Sequence, residues 1–156
     1  MPAYQAVIDS PIPGIPSLGL TLVRGRLAGI DFLFRWQAPF VTTPAAAAVA
    51  ALQRYLDGQV PQRPLPLHAT GTPFQQRVWD ELRRIPYGQV STYGELACRL
   101  DSSARAVAGA CRANPLPLLI PCHRVVAANG PGGYLGQSRG EAVEIKQWLL
   151  QHEGYA

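Results

Sequence analysis

Residues 91–112 read Ser91-Thr92-Tyr93-Gly94-Glu95-Leu96-Ala97-Cys98-Arg99-Leu100-Asp101-Ser102-Ser103-Ala104-Arg105-Ala106-Val107-Ala108-Gly109-Ala110-Cys111-Arg112. Two cap signals punctuate the stretch. Ser91 or Thr92 caps a first helix that runs to about Arg99, with Glu95 three residues after Thr92 as in a capping box. Asp101-Ser102-Ser103 makes a turn and a second cap, and a helix over Ala104 to Ala113 follows. Two short helices around a three-residue turn have the form of a helix-turn-helix, whose second helix enters a DNA groove. That second helix carries small side chains apart from Arg105, Val107 and Arg112. Small side chains let a backbone approach a partner closely. Tight packing on another helix would use them too, but packing alone does not call for both arginines.

Outward on the C-terminal side, Asn114-Pro115-Leu116-Pro117 ends the helix. An apolar run, Leu118-Leu119-Ile120, leads to Pro121-Cys122-His123-Arg124, and Val125-Val126 follow. A thiol attacks as thiolate, which a nearby imidazole or guanidinium favours, and apolar walls shape a pocket around it. Adjacent side chains diverge, so a direct Cys122–His123 dyad is not expected. Ala128 to Gly136 is a glycine-rich loop without the phosphate-cradling G-x-x-x-x-G-K pattern. Glu141 to Gln151 forms a last helix with Val143, Ile145, Trp148, Leu149 and Leu150 apolar, and Gly154 stops it. On the N-terminal side, Thr72-Pro73 opens a helix to about Arg84 with Phe74, Val78, Trp79 and Leu82 on one face. Ile85-Pro86-Tyr87-Gly88 breaks it.

Residues 1–70 have a different texture. Ser17 to Val23 and Leu27 to Phe34 read as a hairpin around Arg24-Gly25-Arg26, with Tyr4 to Ile8 as an added strand. Pro44 opens an alanine-rich helix to Leu56, and Asp57-Gly58 stops it. Pro61 to Leu67 alternates prolines and reads as extended linker or edge strand. The chain therefore divides into an α/β unit over 1–70 and a mainly α unit over 71–156.

Composition narrows the function classes. The chain has 156 residues, 47% of them hydrophobic, and a net charge of +4. That describes a globular protein compatible with nucleic acid. No apolar run approaches the roughly 20 residues of a membrane span, and the first residues lack a signal-peptide pattern, so the expectation is a cytoplasmic protein away from membranes. Cys98, Cys111 and Cys122 form no disulfide framework and, with His68, His123 and His152, no metal-ligand spacing, so no metal or cofactor is expected. Cys98 and Cys111, each inside a helix, read as small buried hydrophobes. Four arginines (99, 105, 112 and 124) against one acid, Asp101, make a basic stripe beside Cys122.

Ala104-Arg105-Ala106-Val107, Asn114-Pro115, Pro121-Cys122-His123-Arg124-Val125-Val126, Trp148-Leu149-Leu150 and His152-Glu153-Gly154 occur in this order. Together they resemble the O6-alkylguanine-DNA alkyltransferases, also called methylated-DNA–protein-cysteine methyltransferases, over roughly residues 72–154. The resemblance implies a ribonuclease-H-like accessory domain followed by a winged-helix-like domain with a helix-turn-helix. It implies a monomer that binds double-stranded DNA carrying O6-alkylguanine through the minor groove and flips the damaged base out of the stack. The alkyl group, on O6 of guanine or also O4 of thymine, passes to Cys122 in one displacement that inactivates the protein. His123 would take the thiol proton through a water, and Glu153 would orient the imidazole. A carboxylate at a helix C-terminus is opposed by the macrodipole, so Glu153 needs such a partner. Asn114 would brace the active-site turn, and Tyr93 would protonate N3 of the leaving guanine. Arg105 would fill the space of the flipped base. Thr92, Tyr93, Ala104, Ala106, Gly109 and Arg112 complete the DNA-facing set, although Arg112 and Arg124 could serve phosphates or internal carboxylates. Pro117, Val125, Tyr134 and Leu135 would line the alkyl pocket, where Leu135 departs from the small polar residue common among relatives.

Three other classes are weaker. A non-enzymatic sensor of alkylated DNA would lack Cys122. A sequence-reading regulator would carry polar base-reading side chains over 104–113. A cysteine hydrolase needs a distant His paired with the thiol, and His68 lies in the proline-rich stretch.

Overall fold

The fold was taken from a computed structural model that describes residues 3–61, 65–135 and 140–155. Residues 62–64 of the proline-rich stretch and Gly136 at the end of the glycine-rich loop lie outside these. The chain forms two compact units, Met1–Thr70 and Gly71–Ala156.

The first unit is organised by a hairpin. Strands β2 (Ser17–Val23) and β3 (Arg26–Leu33) pair antiparallel around Arg24 and Gly25, both in the left-handed region at φ 51° and 76°. A two-residue loop with both φ positive matches the twist of the flanking strands, so the turn sets the register. β1 (Ala6–Asp9) pairs with β2, and β4 (Phe40–Val41) with β1, giving the antiparallel order β3-β2-β1-β4. β4 was not foreseen: two residues carry no readable alternation. Pro44 falls in a 3-10 turn, Thr43–Ala45, and α1 (Ala46–Leu56) follows, burying Val49, Leu52 and Tyr55. Asp57 closes it and Gly58 takes φ 89°. Leu67 makes a lone parallel bridge to Leu27.

The second unit begins with α2 (Pro73–Arg83). Thr72 Oγ1 accepts from Gln75 N at 3.1 Å while Gln75 Oε1 accepts from Thr72 N at 2.9 Å, a reciprocal capping box. Val78, Trp79 and Leu82 face inward. The helix-turn-helix is α3 (Tyr93–Arg99) and α4 (Ala104–Arg112), capped by Thr92 and Ser103, whose hydroxyls accept from Glu95 N and Ala106 N at 3.1 Å. The Glu95 carboxylate accepts from the Thr92 hydroxyl at 3.1 Å, where a full capping box would have it on the Thr92 backbone. Asp101 makes the turn at φ 51°. α2 also closes the ends of both helices: Arg77 Nη2 donates to Leu100 O at 3.2 Å and Trp79 Nε1 to Ala110 O at 2.9 Å. Orphan carbonyls at helix ends need such donors, so α2 sets the angle at which the pair is presented.

Two further features position the chemistry. β5 (Ser91–Thr92) pairs parallel with β6 (Val125–Val126), Thr92 opposite Val126, so the start of α3 is tied to the strand just after Cys122. α5 (Glu141–His152) ends in a Schellman motif. Tyr155 N donates to Leu150 O and Gly154 N to Gln151 O, both at 2.9 Å, with Gly154 at φ 88°. That ending holds Glu153 at the C-cap with its side chain turned inward. Among the described residues no helix is long and apolar enough to cross a membrane.

Candidate active site

Cys122 opens a 3-10 turn, Cys122–Arg124, and is buried. Asn114 organises the approach to it. Its Nδ2 donates to Ile120 O at 2.7 Å and to Cys122 Sγ at 3.3 Å, while its Oδ1 accepts from Leu116 N at 2.9 Å. One side chain therefore closes the loop 116–120 and aims a donor at the sulfur. Between those anchors Leu118 is buried at φ 79°, a strained position for a bulky residue.

His123 is fully buried, at 0% exposure. Its Nε2 meets Glu153 Oε2 at 2.5 Å, and among the described residues nothing hydrogen-bonds Nδ1. Burial holds the imidazole below its ordinary pKa against the pull of Glu153, so the ring is neutral. With the proton on Nε2 facing the carboxylate, Nδ1 keeps its lone pair and is the basic atom. The carboxylate of Glu153 is itself held by donors. Arg124 Nε and Gly88 N donate to Oε1 at 2.8 and 3.2 Å, and Arg124 Nη2 to Oε2 at 3.2 Å. Arg124 Nη1 caps Ile85 O at 2.8 Å. Gly88 sits at φ 79°, where an added Cβ would stand 3.0 Å from Glu153 O, so the turn that follows α2 admits only glycine comfortably.

This changes the expected electrostatics of the thiol. The guanidinium two residues on, Arg124, is spent on Glu153. Burial pushes the Cys122 thiol up, and the groups that pull it down are Asn114 and Lys146. At rest the sulfur is a thiol awaiting a base. Lys146 was not picked out by sequence reasoning. Its one signal was its place on the apolar stripe of α5, three residues from both Val143 and Leu149.

Tyr93, at the start of α3, donates to Gly133 O at 3.3 Å, and desolvation pushes its hydroxyl up to about 12. Gly132, at φ 74°, lies close under it: a Cβ there would meet Tyr93 Cε2 at 2.9 Å and Ala127 N at 3.1 Å. Of the expected pocket walls, Pro117, Val125 and Tyr134 are buried. Leu135 is 43% exposed, with φ 51°. On α4, Val107 and Ala110 face inward, while Ala104, Arg105, Ala108, Gly109 and Arg112 are exposed and Ala106 is half-buried. A Cβ on Gly109 would meet nothing within 4 Å. Packing within this unit therefore does not account for the small residues on the outer side. Cys98 is exposed and Cys111 half-buried, unlike the expectation for both. On α3 the inward positions are Leu96 and Ala97, and Cys98 turns away from them. No group of three or more metal-ligating side chains forms among the described residues.

Residues 73–155 match the family described as 6-O-methylguanine DNA methyltransferase, DNA binding domain. A Salmonella typhimurium protein named methylated-DNA–protein-cysteine methyltransferase is 52% identical over 88 residues, which are 54% of this chain. The match spans 48% of that relative's length. A Methanosarcina acetivorans protein of the same name is 40% identical over 97% of this chain and 98% of its own. The crystal structure of the Mycobacterium tuberculosis O6-methylguanine methyltransferase superposes with a TM-score of 0.78 at 33% identity, covering 97% of this chain and 93% of that one. The same bacterium's protein in complex with DNA gives 0.75 at 35% identity, covering 94% and 90%. By a match that takes in the Cys122 turn, Asn114, Tyr93 and Glu153, and by likeness along nearly its whole length, this chain belongs to the O6-methylguanine-DNA methyltransferase family.

Proposed function

We propose that this protein repairs DNA by moving an alkyl group from O6 of guanine, and also from O4 of thymine, onto Cys122, once per molecule. The observation that carries the reading is a buried thiol held by Asn114 beside an imidazole whose Nδ1 is basic and whose Nε2 is anchored on Glu153. His123 takes the thiol proton through a bridging water. The sulfur attacks the alkyl carbon, the S–C bond forms as the O6–C bond breaks, and the electron pair passes to guanine. Tyr93 protonates N3, and its raised pKa suits a donor that must keep its proton at neutral pH. The imidazolium then gives up its proton and Tyr93 regains one through solvent, so that in net terms guanine has gained the proton that the thiol lost and sulfur the alkyl group. A thioether is a poor leaving group, so the product is dead and the protein inactivated.

The partner is double-stranded DNA, entered from the minor groove by α4. The small outer face of Ala104, Ala106 and Gly109 allows close approach, with Thr92 and Arg112 beside it. Arg105, exposed on α4, takes the place of the flipped base. Pro117, Val125, Tyr134 and Leu135 line the alkyl pocket. We read residues 71–156 as a winged-helix-like transfer domain and 1–70 as a ribonuclease-H-like accessory domain, in a cytoplasmic monomer. The antiparallel sheet of the first unit and the α3–α4 pair of the second support these assignments.

The test is intact mass after incubation with a duplex carrying O6-methylguanine. A gain of one methyl, mapped to Cys122, is expected, and no gain overturns the reading. Cys122→Ala should bind the duplex without transfer, with affinity falling as salt rises because phosphate contacts release counterions.

A further inference from the structure

Ile85-Pro86-Tyr87-Gly88 reads in the sequence as a helix breaker. In the structure it also grips the proton relay. Gln89 N donates to Pro86 O at 3.1 Å, and Gly88 takes φ 79° at the third position of the turn, as a type II turn needs. The closed turn aims its residues at Arg124 and Glu153. Ile85 O accepts from Arg124 Nη1 at 2.8 Å, and Gly88 N donates to Glu153 Oε1 at 3.2 Å. Between them Arg124 Cζ stands over the Tyr87 ring, 5.7 Å from its centroid.

A guanidinium is planar, and its donors lie in the plane. Arg124 directs Nε to Glu153 Oε1 at 2.8 Å, Nη2 to Oε2 at 3.2 Å and Nη1 to Ile85 O. Bonds of this kind resist sliding in the plane but resist tilting out of it poorly. The Tyr87 ring closes one face, and a cation within about 6 Å of an aromatic centroid is attracted to it. Burial and the charge of Glu153 push the Tyr87 hydroxyl up, so the ring is neutral wherever His123 titrates.

How firmly Arg124 sits on Glu153 matters to His123. The charged groups that face the imidazole are Glu153 at the end of α5, Lys146 within α5, and Arg124 on its own 3-10 turn, where the Cys122 thiol also lies. Burial holds the imidazole down most, Glu153 draws it up, and Arg124 and Lys146 push it down. A guanidinium that tilts off Glu153 leaves the carboxylate more negative toward His123 and withdraws its own repulsion. Both changes strengthen the hold of the ring on a proton, so the base becomes neutral only at higher pH. We propose that Tyr87 is a positioning residue for the base: its ring fixes the Arg124 guanidinium on Glu153 and so sets the charge that the His123 imidazole meets. The proposal rests on His123 being the general base of the transfer.

The experiment uses the intact protein with Tyr87→Phe and then with progressively fluorinated phenylalanines at the same position. Fluorine nearly keeps the shape of the ring, so solvent stays excluded, but it drains the negative charge from the ring face. Each protein is followed by single-turnover transfer from O6-methylguanine duplex as a function of pH, and by NMR titration of the His123 ring, one of three histidines. Tyr87→Phe should keep the ascending limb of the wild type. Fluorination should move the limb, and the NMR midpoint with it, stepwise to higher pH. At full substitution the shift should be about 0.5–1 unit, a part of the about 1–3 units that a neighbouring charge commands. A fully fluorinated variant whose limb and midpoint coincide with those of Tyr87→Phe overturns the role of the ring. A limb already displaced in Tyr87→Phe overturns it too, because the hydroxyl is then the part that acts. A midpoint that moves under an unmoved limb overturns His123 as the base instead. Wild-type protein that transfers at no pH overturns the parent reading, and the NMR series then decides on its own whether Tyr87 sets the charge at His123.

Discussion

Glu153→Gln tests the charge arrangement around the base, because the substitution changes one oxygen to NH2 and nothing else in shape. Gly88 N, Arg124 Nε and Nη2, and His123 Nε2 lie against the Glu153 carboxylate oxygens, all as donors. An amide turned to keep its oxygen on Arg124 Nε and Gly88 N points its NH2 at Arg124 Nη2 and His123. The imidazole then accepts at Nε2 and carries its proton on Nδ1, so the basic atom is lost. Arg124, buried, is left without its anion. Breaking a buried ion pair on one side costs about 3–5 kcal/mol, a large share of the roughly 5–15 kcal/mol that holds a domain folded. With a urea dependence of about 2 kcal/mol per M, the midpoint should fall by about 2 M. Loss of the general base should slow single-turnover transfer by about 10²–10⁴. Urea unfolding and rapid-quench transfer measure the two effects separately. Adding Arg124→Met removes the stranded cation, so the double variant should regain part of the stability while transfer stays slow. A Glu153→Gln protein within about 1 kcal/mol of wild type would refute the cost assigned to stranding Arg124, and a single or double variant that keeps wild-type transfer would refute the assignment of Nδ1 as the base.

The remaining predictions probe the turn, the helix pair and the buried charges. Asn114→Ala removes two donated bonds and one accepted bond; at about 1 kcal/mol each it should cost about 2–3 kcal/mol and slow iodoacetamide capping of Cys122, as peptide mapping can show. Trp79→Phe leaves the Ala110 carbonyl without its indole donor, an expected loss of about 1–2 kcal/mol in urea unfolding. Arg105→Ala should leave stability within about 0.5 kcal/mol yet slow transfer from duplex DNA by about tenfold or more, and an unchanged rate removes it from the DNA interface. Stability should also rise with pH between 8 and 9. There the unfolded chain still holds the lysine proton that folded Lys146, with its pKa of about 8, gives up; integrating the proton difference gives about 1 kcal/mol. The gain is offset as pH passes 9, because folded Cys111, up to about 12, and folded Cys122, also pushed up by burial, keep protons that the unfolded thiols lose. At the acid end the depressed His123 works against folding: below about pH 6.5 the unfolded ring gains a proton the folded one refuses, and stability falls. Lys146→Met should flatten the rise between pH 8 and 9.

What was legible in the sequence follows the range of the interactions involved. Helix starts and stops are local: Thr72, Thr92, Ser103 and Gly154 each hydrogen-bond within a few residues. The helix-turn-helix was therefore readable from 22 consecutive letters. The β2–β3 hairpin was readable for the same reason, through Arg24-Gly25. β4 and the β5–β6 pair were not, because a two-residue strand has no period and is defined only by a partner far along the chain. The site divides the same way. Cys122 and Asn114 are eight residues apart and their contact lies within one loop. The charges are another matter. Sequence proximity put a guanidinium two residues from the thiol, yet Arg124 reaches Glu153, 29 residues on. The ammonium that draws the thiol pKa down, against its burial, is that of Lys146, on the far side of the glycine-rich loop. Its helix position was visible, but a lysine on an apolar stripe usually snorkels to solvent. What distinguishes this one is the pair of carbonyls that turn its head inward, Val125 and Gly133, and neither belongs to its own helix. A nucleophile can thus be found by its neighbours in sequence. The charges around it have to be found by its neighbours in space.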